Sequence, residues 1–366
     1  MNYQQDSPRF GERPPHDERF IGKMHTFPDL ESIKATYGHV PLVVSTRGQI
    51  VESVHYGSFA VVAADGATIF SAGAARSPIY PRSGLKPLQL IAMVSAGLTL
   101  PDNLLALGAS SHSGATNHQA GTEQILALHG LDASSLRNVP DLPYGPAERE
   151  AWLAAGRGPT QLAQDCSGKH AAMLATCVIN GWTVDDYLDP THPLQQLIEA
   201  TLADLTCEAA SASSIDGCGT PLFAYSLHGV ARAYARFGPA DPDSPTGRVA
   251  AAIRRYPEMV AGETRDVTRL MRAVSGLLAK DGAEGVQLVS LQDGTAIALK
   301  IADGADRARL PITLSILVAL GVDQDLLTDV TCPPPLGGGT PVGELRPAKE
   351  ITEAMSTVTD AGKSQS

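Results

Sequence analysis

The sequence has few aromatic residues, no long apolar run and no excess of positive charge. Aromatic residues make up 5% of the 366-residue chain, and no segment approaches the roughly 18 apolar residues of a membrane-spanning helix. Acidic residues outnumber basic ones, 39 to 28, and the net charge is -11. Nucleic acids and anionic membranes bind positive surfaces, so neither is expected as the main partner. The length and the 43% hydrophobic content predict a globular protein with a large core.

Closely spaced cysteine pairs are also missing. The five cysteines are an odd number and lie far apart, at Cys166, Cys177, Cys207, Cys218 and Cys332. This distribution indicates reduced thiols and argues against a disulfide framework. Residues 1–25 contain no apolar core of the kind that a secretory signal requires. We therefore expect a cytoplasmic protein.

The chain is organised around Ser83 and Lys86, which stand three residues apart where an apolar segment begins. Residues at i and i+3 share a helix face, so Lys86 is expected to reach back toward the Ser83 hydroxyl. Pro87 is tolerated only in the first helical turn, which places Ser83 at a helix N-terminus. There the helix dipole is expected to favour an oxyanion and to lower the pKa of Lys86. A serine activated by a neutral lysine is a known nucleophile, although Ser-x-x-Lys also occurs by chance.

Two Asp-Gly dipeptides each separate two strand-like runs. Asp-Gly supplies the positive φ of a tight primed turn, so each dipeptide predicts a β-hairpin. The runs are 50–64 and 68–73 around Asp65-Gly66, and 285–291 and 295–301 around Asp293-Gly294.

Between the two hairpins, apolar residues recur mostly with a helical period. Helices are predicted after Ser83 to residue 94, and at 117–131, 167–179, 193–205, 221–236, 247–260 and 266–279, with a further one at 307–320. Terminal strands that pair around a helical insertion predict an α+β protein, in which one antiparallel sheet is flanked by helices and joined to a helical lobe.

The predicted domain organisation follows from this order of elements. Residues 1–40 form a flexible arm, with a short helix at 30–37 as its one candidate element. Residues 41–345 form a single catalytic domain, whose sheet comes from 41–80 and 283–345 and whose helical part lies between them. Residues 346–366 form a C-terminal tail.

Cys166 and Cys218 lie in unlike segments beside small residues that allow close approach. A pair of thiolates suits zinc, with nitrogen and water completing a tetrahedron. Because no Cys-x-x-Cys spacing is present, buried structural cysteines remain the competing interpretation.

His112, His170 and Lys280 can each be interpreted as either functional or structural residues. His112 and His170 stand in Ser- and Gly-rich turns at helix starts, which favours a cleft, although an isolated histidine is usually structural. Lys280 follows a predicted helix, where a cation is stabilised by the helix dipole. Followed by Asp281 and Gly282, it also resembles the Lys-x-Gly element that penicillin-recognising enzymes place opposite Ser-x-x-Lys.

Six motifs follow one another along residues 41–345: Ser83-Gly84-Leu85-Lys86-Pro87, Ser110-Ser111-His112-Ser113, Cys166-Ser167-Gly168-Lys169-His170, Asp216-Gly217-Cys218, Tyr256 to Glu263, and Lys280. Taken together, they resemble the thermolabile, Rhizobium-type L-asparaginases of the asparaginase II family. The chain lacks the N-terminal Thr-Gly-Gly-Thr signature of the better-known bacterial asparaginases.

The resemblance implies an amidohydrolase with a fold similar to serine β-lactamases and glutaminases. It implies that Ser83 is the nucleophile with Lys86 as its base, and that Ser111 and Lys280 are a supporting pair. The expected reaction converts L-asparagine to L-aspartate and ammonia through an acyl-enzyme. The expected partner is this small substrate, and the expected assembly is a homodimer.

The resemblance also implies a metal and a substrate pocket. Zinc would be held by Cys166, Lys169 and Cys218, with the lysine neutral. The pocket residues, which would hold the α-carboxylate and α-amine of the substrate and orient ligands, are Arg82, His170 and Asp216.

Two alternatives remain open at this point. The chain could be a glutaminase or a penicillin-recognising serine hydrolase on the same fold. It could also be a non-catalytic amino-acid sensor, which the presence of the complete serine, lysine and cysteine set disfavours.

Overall fold

A seven-stranded antiparallel sheet forms the centre of the computed structural model, which describes residues 38–355. Its strands are β1 (Val40–Arg47), β2 (Ile50–Val62), β3 (Thr68–Ala72), β7 (Leu278–Gly282), β8 (Val286–Ser290), β9 (Ala296–Ile301) and β12 (Leu345–Pro347). The order is β12-β1-β2-β9-β8-β7, and β3 pairs with β2. The sheet is therefore built from the two ends of the described chain.

Two smaller antiparallel sheets complete the strand inventory of the described residues. The first has three strands in the order β4 (Pro78–Ile79), β6 (Pro221–Ser226) and β5 (Ala212–Ile215). The second is formed by β10 (Leu336–Gly337) and β11 (Thr340–Pro341).

Both predicted hairpins are confirmed. Gly66 and Gly294 have φ values of 83° and 88°, the left-handed region that a side chain disfavours. Pairing continues on either side of each turn, between β2 and β3 and between β8 and β9.

Helices account for most of the chain between β3 and β7. They are α1 (Lys86–Ser95), α2 (Asp102–Gly108), α3 (Thr116–Leu128), α4 (Pro146–Ala154), α5 (Ser167–Asn180), α6 (Pro193–Thr206), α7 (Leu227–Ala235), α8 (Pro245–Arg255), α9 (Pro257–Val260), α10 (Asp266–Ala273), then α11 (Arg309–Ala319) and a C-terminal helix over 349–355. Short 3-10 turns occur at Arg82–Leu85, Ala133–Ser135, Asp306–Ala308 and Gln324–Leu327. The predicted α+β class is confirmed.

Helix α1 lies at the centre of the helical part, and nine of its ten residues are buried. It packs against α2, α5, α6 and α8, while the turn before it contacts β7 and β8. Helix α7 packs against β2 and β9. The start of α1 is thus the point where the helical part meets the edge of the main sheet.

The predicted helix over 266–279 is wrong in its second half. Helix α10 ends at Ala273, Gly276 adopts a φ of 75°, and Lys280 lies on β7 opposite Leu288 of β8. The apolar run before Lys280 is too short for periodicity to separate strand from helix. Pairing with β8 decides in favour of the strand, and it directs Lys280 toward the start of α1.

The predicted helix over 221–236 also begins later than expected. Residues 221–226 form β6, and α7 starts only after Ser226, whose side chain accepts a hydrogen bond from the Gly229 amide at 2.9 Å. The alternation of aromatic and small residues in 221–226 suits a strand that pairs on both edges.

The predicted C-terminal tail begins inside the sheet, because Arg346 and Pro347 pair with Val44 and Val43 of β1. The predicted short helix at 30–37 lies outside the described residues, and so does the predicted arm except for residues 38–40. Within residues 38–355, every helix is too short or too polar to cross a lipid bilayer.

Candidate active site

Ser83 lies in the 3-10 turn that directly precedes α1. Its neighbour Arg82 has a φ of 52°, a conformation that is rare outside glycine and often found at functional sites. The Tyr234 hydroxyl donates to the Gly84 carbonyl at 2.7 Å. A Cβ atom at Gly84 would lie 2.5 Å from a leucine side chain of β8. The turn is therefore fixed against the sheet, while the Ser83 side chain remains partly exposed.

The hydrogen bonds of the Lys86 amine go to partners other than Ser83. Its Nζ donates to the Ser110 carbonyl at 2.7 Å, to Ser111 Oγ at 2.7 Å and to Cys166 Sγ at 2.9 Å. Among the described residues, no hydrogen bond joins Lys86 to Ser83 Oγ. The expected direct Ser83–Lys86 contact is thus replaced by a contact between Lys86 and the second serine.

The predicted lowering of the Lys86 pKa is also wrong for these residues. Burial does act to lower it, but interactions with Cys166, Asp165 and Cys218 outweigh burial and raise the pKa of Lys86. Asp165 Oδ2 lies 3.8 Å from Lys86 Nζ. The helix dipole acts locally, whereas these three side chains come from segments about 80 or more residues further along the chain.

Ser111 is held between two lysines. Besides the Lys86 amine, Lys280 Nζ donates to Ser111 Oγ at 3.1 Å. Lys280 also donates to the carbonyl and to Oδ1 of Asp281, both at 2.8 Å. Burial lowers the pKa of Lys280, and the adjacent Asp281 carboxylate opposes this effect. Ser111 is therefore hydrogen-bonded to two amines in different electrostatic environments.

A charged network that the sequence did not reveal stands behind Lys280. Asp281 also accepts a hydrogen bond from Arg265, whose guanidinium lies 4.6 Å from the centre of the Tyr144 ring. Burial alone would raise the pKa of Asp281, but Lys280 and Arg265 hold it well below its usual range. In the sequence, only the position of Asp281 indicated this network, because Asp281 is the middle residue of the Lys280-Asp281-Gly282 motif.

Cys166, Cys218 and Lys169 come together beside the Lys86 amine. Lys169 Nζ donates to Cys218 Sγ at 3.2 Å and to Thr220 Oγ1 at 2.9 Å. Interaction between the two thiols raises the pKa of Cys166 and lowers that of Cys218. Within residues 38–355, no group of three or more His, Cys, Asp and Glu side chains is placed to hold a metal. A metal at the two thiols would therefore need the Lys169 amine.

His170 is fully buried next to this cluster. Its Nδ1 lies 2.7 Å from the Tyr187 hydroxyl, whereas its Nε2 is buried and has no hydrogen-bond partner in the described part of the chain. Burial lowers the pKa of His170, with nearby Cys218 acting in the opposite direction. The residue is thus a neutral imidazole beside the thiols, and it has no direct access to solvent.

Arg82 and Asp216 form an ion pair next to Ser83. Arg82 Nε donates to Asp216 Oδ1 at 2.8 Å, and both side chains keep some exposure, 27% and 12%. The two charges lie where a small polar ligand can reach them.

His112, by contrast, is part of the core. It is buried, stacks on His118 with ring centres 4.9 Å apart, and has its Nε2 2.9 Å from Ser167 Oγ. Its Nδ1 accepts from the Gly114 amide. The structural interpretation applies to this histidine.

The structure therefore joins most of the predicted site residues into one chain of contacts. Lys280, Ser111, Lys86 and Cys166 are linked by hydrogen bonds, and the thiol pair continues this chain to Cys218. Lys169 and His170 adjoin Cys218, while Arg82 and Asp216 flank Ser83. Ser83 makes no side-chain hydrogen bond to these residues within residues 38–355, and it is linked to Lys86 only through the backbone of the turn before α1.

Comparison with known proteins gives three results. A search of curated proteins finds no match. A search of solved structures finds, among others, a β-lactamase from Mycobacterium bovis with 15% identity and a TM-score of 0.41. The match covers 72% of this chain and 94% of that one. A Bacillus glutaminase has 13% identity and a TM-score of 0.29, covering 74% and 87%. The family model described as L-asparaginase II matches residues 43–347, which include every residue of the site, and the chain belongs to this L-asparaginase II family of amidohydrolases.

Proposed function

We propose that the chain is an L-asparaginase that hydrolyses the side-chain amide of L-asparagine to L-aspartate and ammonia. Family membership supports an amidohydrolase. The observation that carries the proposed mechanism is the position of Ser111 Oγ, 2.7 Å from Lys86 Nζ and 3.1 Å from Lys280 Nζ. A hydroxyl between two amines can move a proton from one to the other, as acyl transfer from an amide requires.

We assign the nucleophilic attack to Ser83. Its side chain is partly exposed and makes no hydrogen bond with other described residues, so it can approach a bound amide. Ser111 is only 6% exposed and is engaged by both lysines, which suits a supporting role. The strained backbone at Arg82 and the fixed turn support a positioned nucleophile.

The proposed proton path ends at Lys280. Attack forms the bond between Ser83 Oγ and the amide carbon, and the hydroxyl proton passes by way of Ser111 to an amine. The acceptor must be a neutral amine, and we assign this role to the deprotonated form of Lys280, because its pKa is lowered whereas that of Lys86 is raised. The proton then returns to the nitrogen as the C–N bond breaks and ammonia leaves. Water hydrolyses the resulting ester.

Arg82 and Asp216 are the proposed anchors for the amino-acid part of the substrate. A zwitterion can separate the pair, placing its α-carboxylate on the Arg82 guanidinium and its α-ammonium group on Asp216. His170 is buried, so we propose that it orients Cys218 and does not contact the substrate.

We further propose that Cys166, Lys169 and Cys218 hold zinc. The donor set fits in chemistry, since two adjacent thiols and an amine 3.2 Å from one of them form a soft sulfur and nitrogen site. His170 is not among the proposed ligands, because no three His, Cys, Asp or Glu side chains of residues 38–355 are placed to hold a metal. A bound zinc ion would orient the substrate next to Ser83.

The activity test is ammonia release from L-asparagine by the wild type and by the variants Ser83→Ala and Ser111→Ala. We expect release by the wild type, its loss in Ser83→Ala, and a strong reduction in Ser111→Ala. Release that survives in Ser83→Ala would move the attack to Ser111. No release from L-asparagine, combined with turnover of L-glutamine or of a chromogenic β-lactam, would replace the proposed substrate.

The metal test is zinc content after reconstitution and dialysis, measured by mass spectrometry and independent of activity. We expect about one zinc per chain in the wild type and loss of zinc in Cys218→Ser and Lys169→Met. The control is Lys300→Met, because this half-buried amine donates only to backbone carbonyls elsewhere in the fold. Retention of zinc by Cys218→Ser would contradict the proposed ligands.

A further inference from the structure

A second polar cleft, unconnected to Ser83 in the mechanism above, lies between α10, the turn before α11 and the segment that leads to β12. It has a volume of about 300 Å³, the lower end of the range for small-ligand sites. Its polar lining comes from Asp266, Arg269, Asp306, Arg307 and Thr331. Three consecutive prolines, which have no amide donors, form part of the wall.

Both carboxylates of this cleft are already bound. Asp266 Oδ2 accepts a hydrogen bond from Arg309 Nη2 at 3.1 Å, and its Oδ1 accepts from the Val267 amide at 2.8 Å. Asp306 Oδ1 accepts from Arg309 Nε, also at 3.1 Å. Arg309 is buried and bridges the two aspartates, but its single positive charge offsets only one of them. Neither cleft arginine forms an ion pair with these carboxylates among the described residues.

Arg269 has a buried nitrogen without a hydrogen-bond partner among the described residues. It stands one helical turn after Asp266, a spacing at which an ion pair is common, but Asp266 is occupied by Arg309. Its guanidinium makes no hydrogen bond or ion pair with any described residue, and its Nε is shielded from solvent. A buried donor without an acceptor costs free energy, and an oxyanion in the cleft would supply the acceptor.

Arg307 adds a second positive charge. Its Nε donates to His55 Nε2 at 3.1 Å, and the other nitrogen of that imidazole is bonded to Asp303 at 2.7 Å. No ion pair joins Arg307 to a carboxylate within residues 38–355. The thiol of Cys332 is neutral, because burial raises its pKa to about 11. Arg269, Arg307 and Arg309 together outnumber Asp266 and Asp306 by three charges to two, so the cleft is locally positive in a protein whose net charge is -11.

We propose that this cleft binds a small oxyanion, either a phosphate group or a carboxylate, through the guanidinium groups of Arg269 and Arg307. The Thr331 hydroxyl can donate a further hydrogen bond to the same group. Guanidinium groups bind both anion types in a bidentate manner, so the geometry selects the oxyanion and leaves the rest of the ligand open.

The test is isothermal titration calorimetry of the full chain with inorganic phosphate and with succinate, at constant ionic strength set by chloride. We expect saturable binding of at least one of the two anions at one site per chain. Arg269→Gln and Arg307→Gln should each weaken this binding by about tenfold or more. Succinate binding without phosphate binding would identify a carboxylate ligand, and the reverse would identify a phosphate.

Three further variants complete the experiment. Arg236→Gln is the control, because this arginine lines a different cleft and donates to a backbone carbonyl there, and its binding should equal that of the wild type. Arg269→Lys keeps the charge and the long side chain but lacks Nε, so it should fold and still bind more weakly. Arg82→Gln tests the catalytic pocket as the site of binding. Loss of binding in Arg82→Gln but not in Arg269→Gln would overturn the proposal, and so would the absence of binding to the wild type.

Discussion

Replacing Asp281 with asparagine tests the buried charges behind Ser111. The Lys280 amine is fully buried and lies 2.8 Å from Asp281 Oδ1, while Arg265 donates to the other carboxylate oxygen. The amide of Asp281→Asn keeps the shape but removes the negative charge, and it leaves two buried cations side by side. Breaking a buried ion pair in this way costs about 3 to 5 kcal/mol. We expect a fall in Tm of about 4 to 7 °C, because a chain of 366 residues has an unfolding entropy of about 0.8 kcal/mol/K.

The cost should depend on pH in a defined direction. A lysine whose pKa is lower in the folded state binds fewer protons there than in the unfolded chain, so stability rises as the pH approaches the lysine's unfolded value of about 10.4. Without Asp281, the lowering of the Lys280 pKa becomes larger. The loss of unfolding free energy in the variant should therefore be greater at about pH 6 than at about pH 9, where Lys280 can lose its proton. Arg265 stays charged across this range, so the part of the stability loss that comes from Arg265 does not vary with pH.

Urea unfolding of the wild type and Asp281→Asn across this pH range measures the effect. The matched control is Asp102→Asn, because the Asp102–Arg255 ion pair lies at the surface with both side chains about half exposed or more. That variant should lose at most about 1 kcal/mol. A loss below 1 kcal/mol in Asp281→Asn, or a larger loss at high pH than at low pH, would refute the assigned charge states.

Three further predictions concern the turn that carries Ser83 and the buried His112. Gly84→Ala would force a methyl group to within 2.5 Å of the Leu288 side chain, so we expect about 1 to 3 kcal/mol of lost stability and a lower kcat for amide hydrolysis, and unchanged kinetics would contradict the close fit. Tyr234→Phe removes the hydroxyl that binds the Gly84 carbonyl, and thermal denaturation should show a loss of about 1 kcal/mol, with a normal Tm counting against the contact. Burial holds the pKa of His112 well below 6.5, so the unfolded chain takes up the proton first and stability falls as the pH drops below about 6.5. Urea titrations should give a smaller fall for His112→Gln, and an equal fall would show that other groups cause it.

The sequence identified those features of the fold that depend on neighbouring residues. The hairpins at Asp65-Gly66 and Asp293-Gly294 follow from the positive φ that glycine allows at each turn. The position of Pro87 in the first turn of α1 follows from its missing amide hydrogen, although the helix begins at Lys86 and Ser83 lies in the 3-10 turn before it. Each of these inferences needs only a few adjacent residues, and each is confirmed.

The features that were missed depend on residues far apart in the chain. The apolar run before Lys280 is too short for its periodicity to distinguish a helix from a strand, so the sequence alone predicts a helix end there. Only the pairing with β8 makes this segment a strand. The pKa of Lys86 was predicted to fall because the local helix dipole was considered without Cys166 and Asp165, which lie near it only in the folded chain. Arg265 had no sequence signal at all, since its role comes from contact with Asp281.

The rigidity of the turn that carries Ser83 limits how this enzyme can change its substrate. Because Gly84 is fixed between Tyr234 and β8, the neighbouring Ser83, our proposed nucleophile, cannot shift to meet a longer or shorter side chain. The loop with Asp216 is less confined, and a Cβ atom added at Gly217 would have no heavy atom closer than 4.0 Å. Selection of variants for a longer amide substrate should therefore collect substitutions in this loop and leave the turn intact.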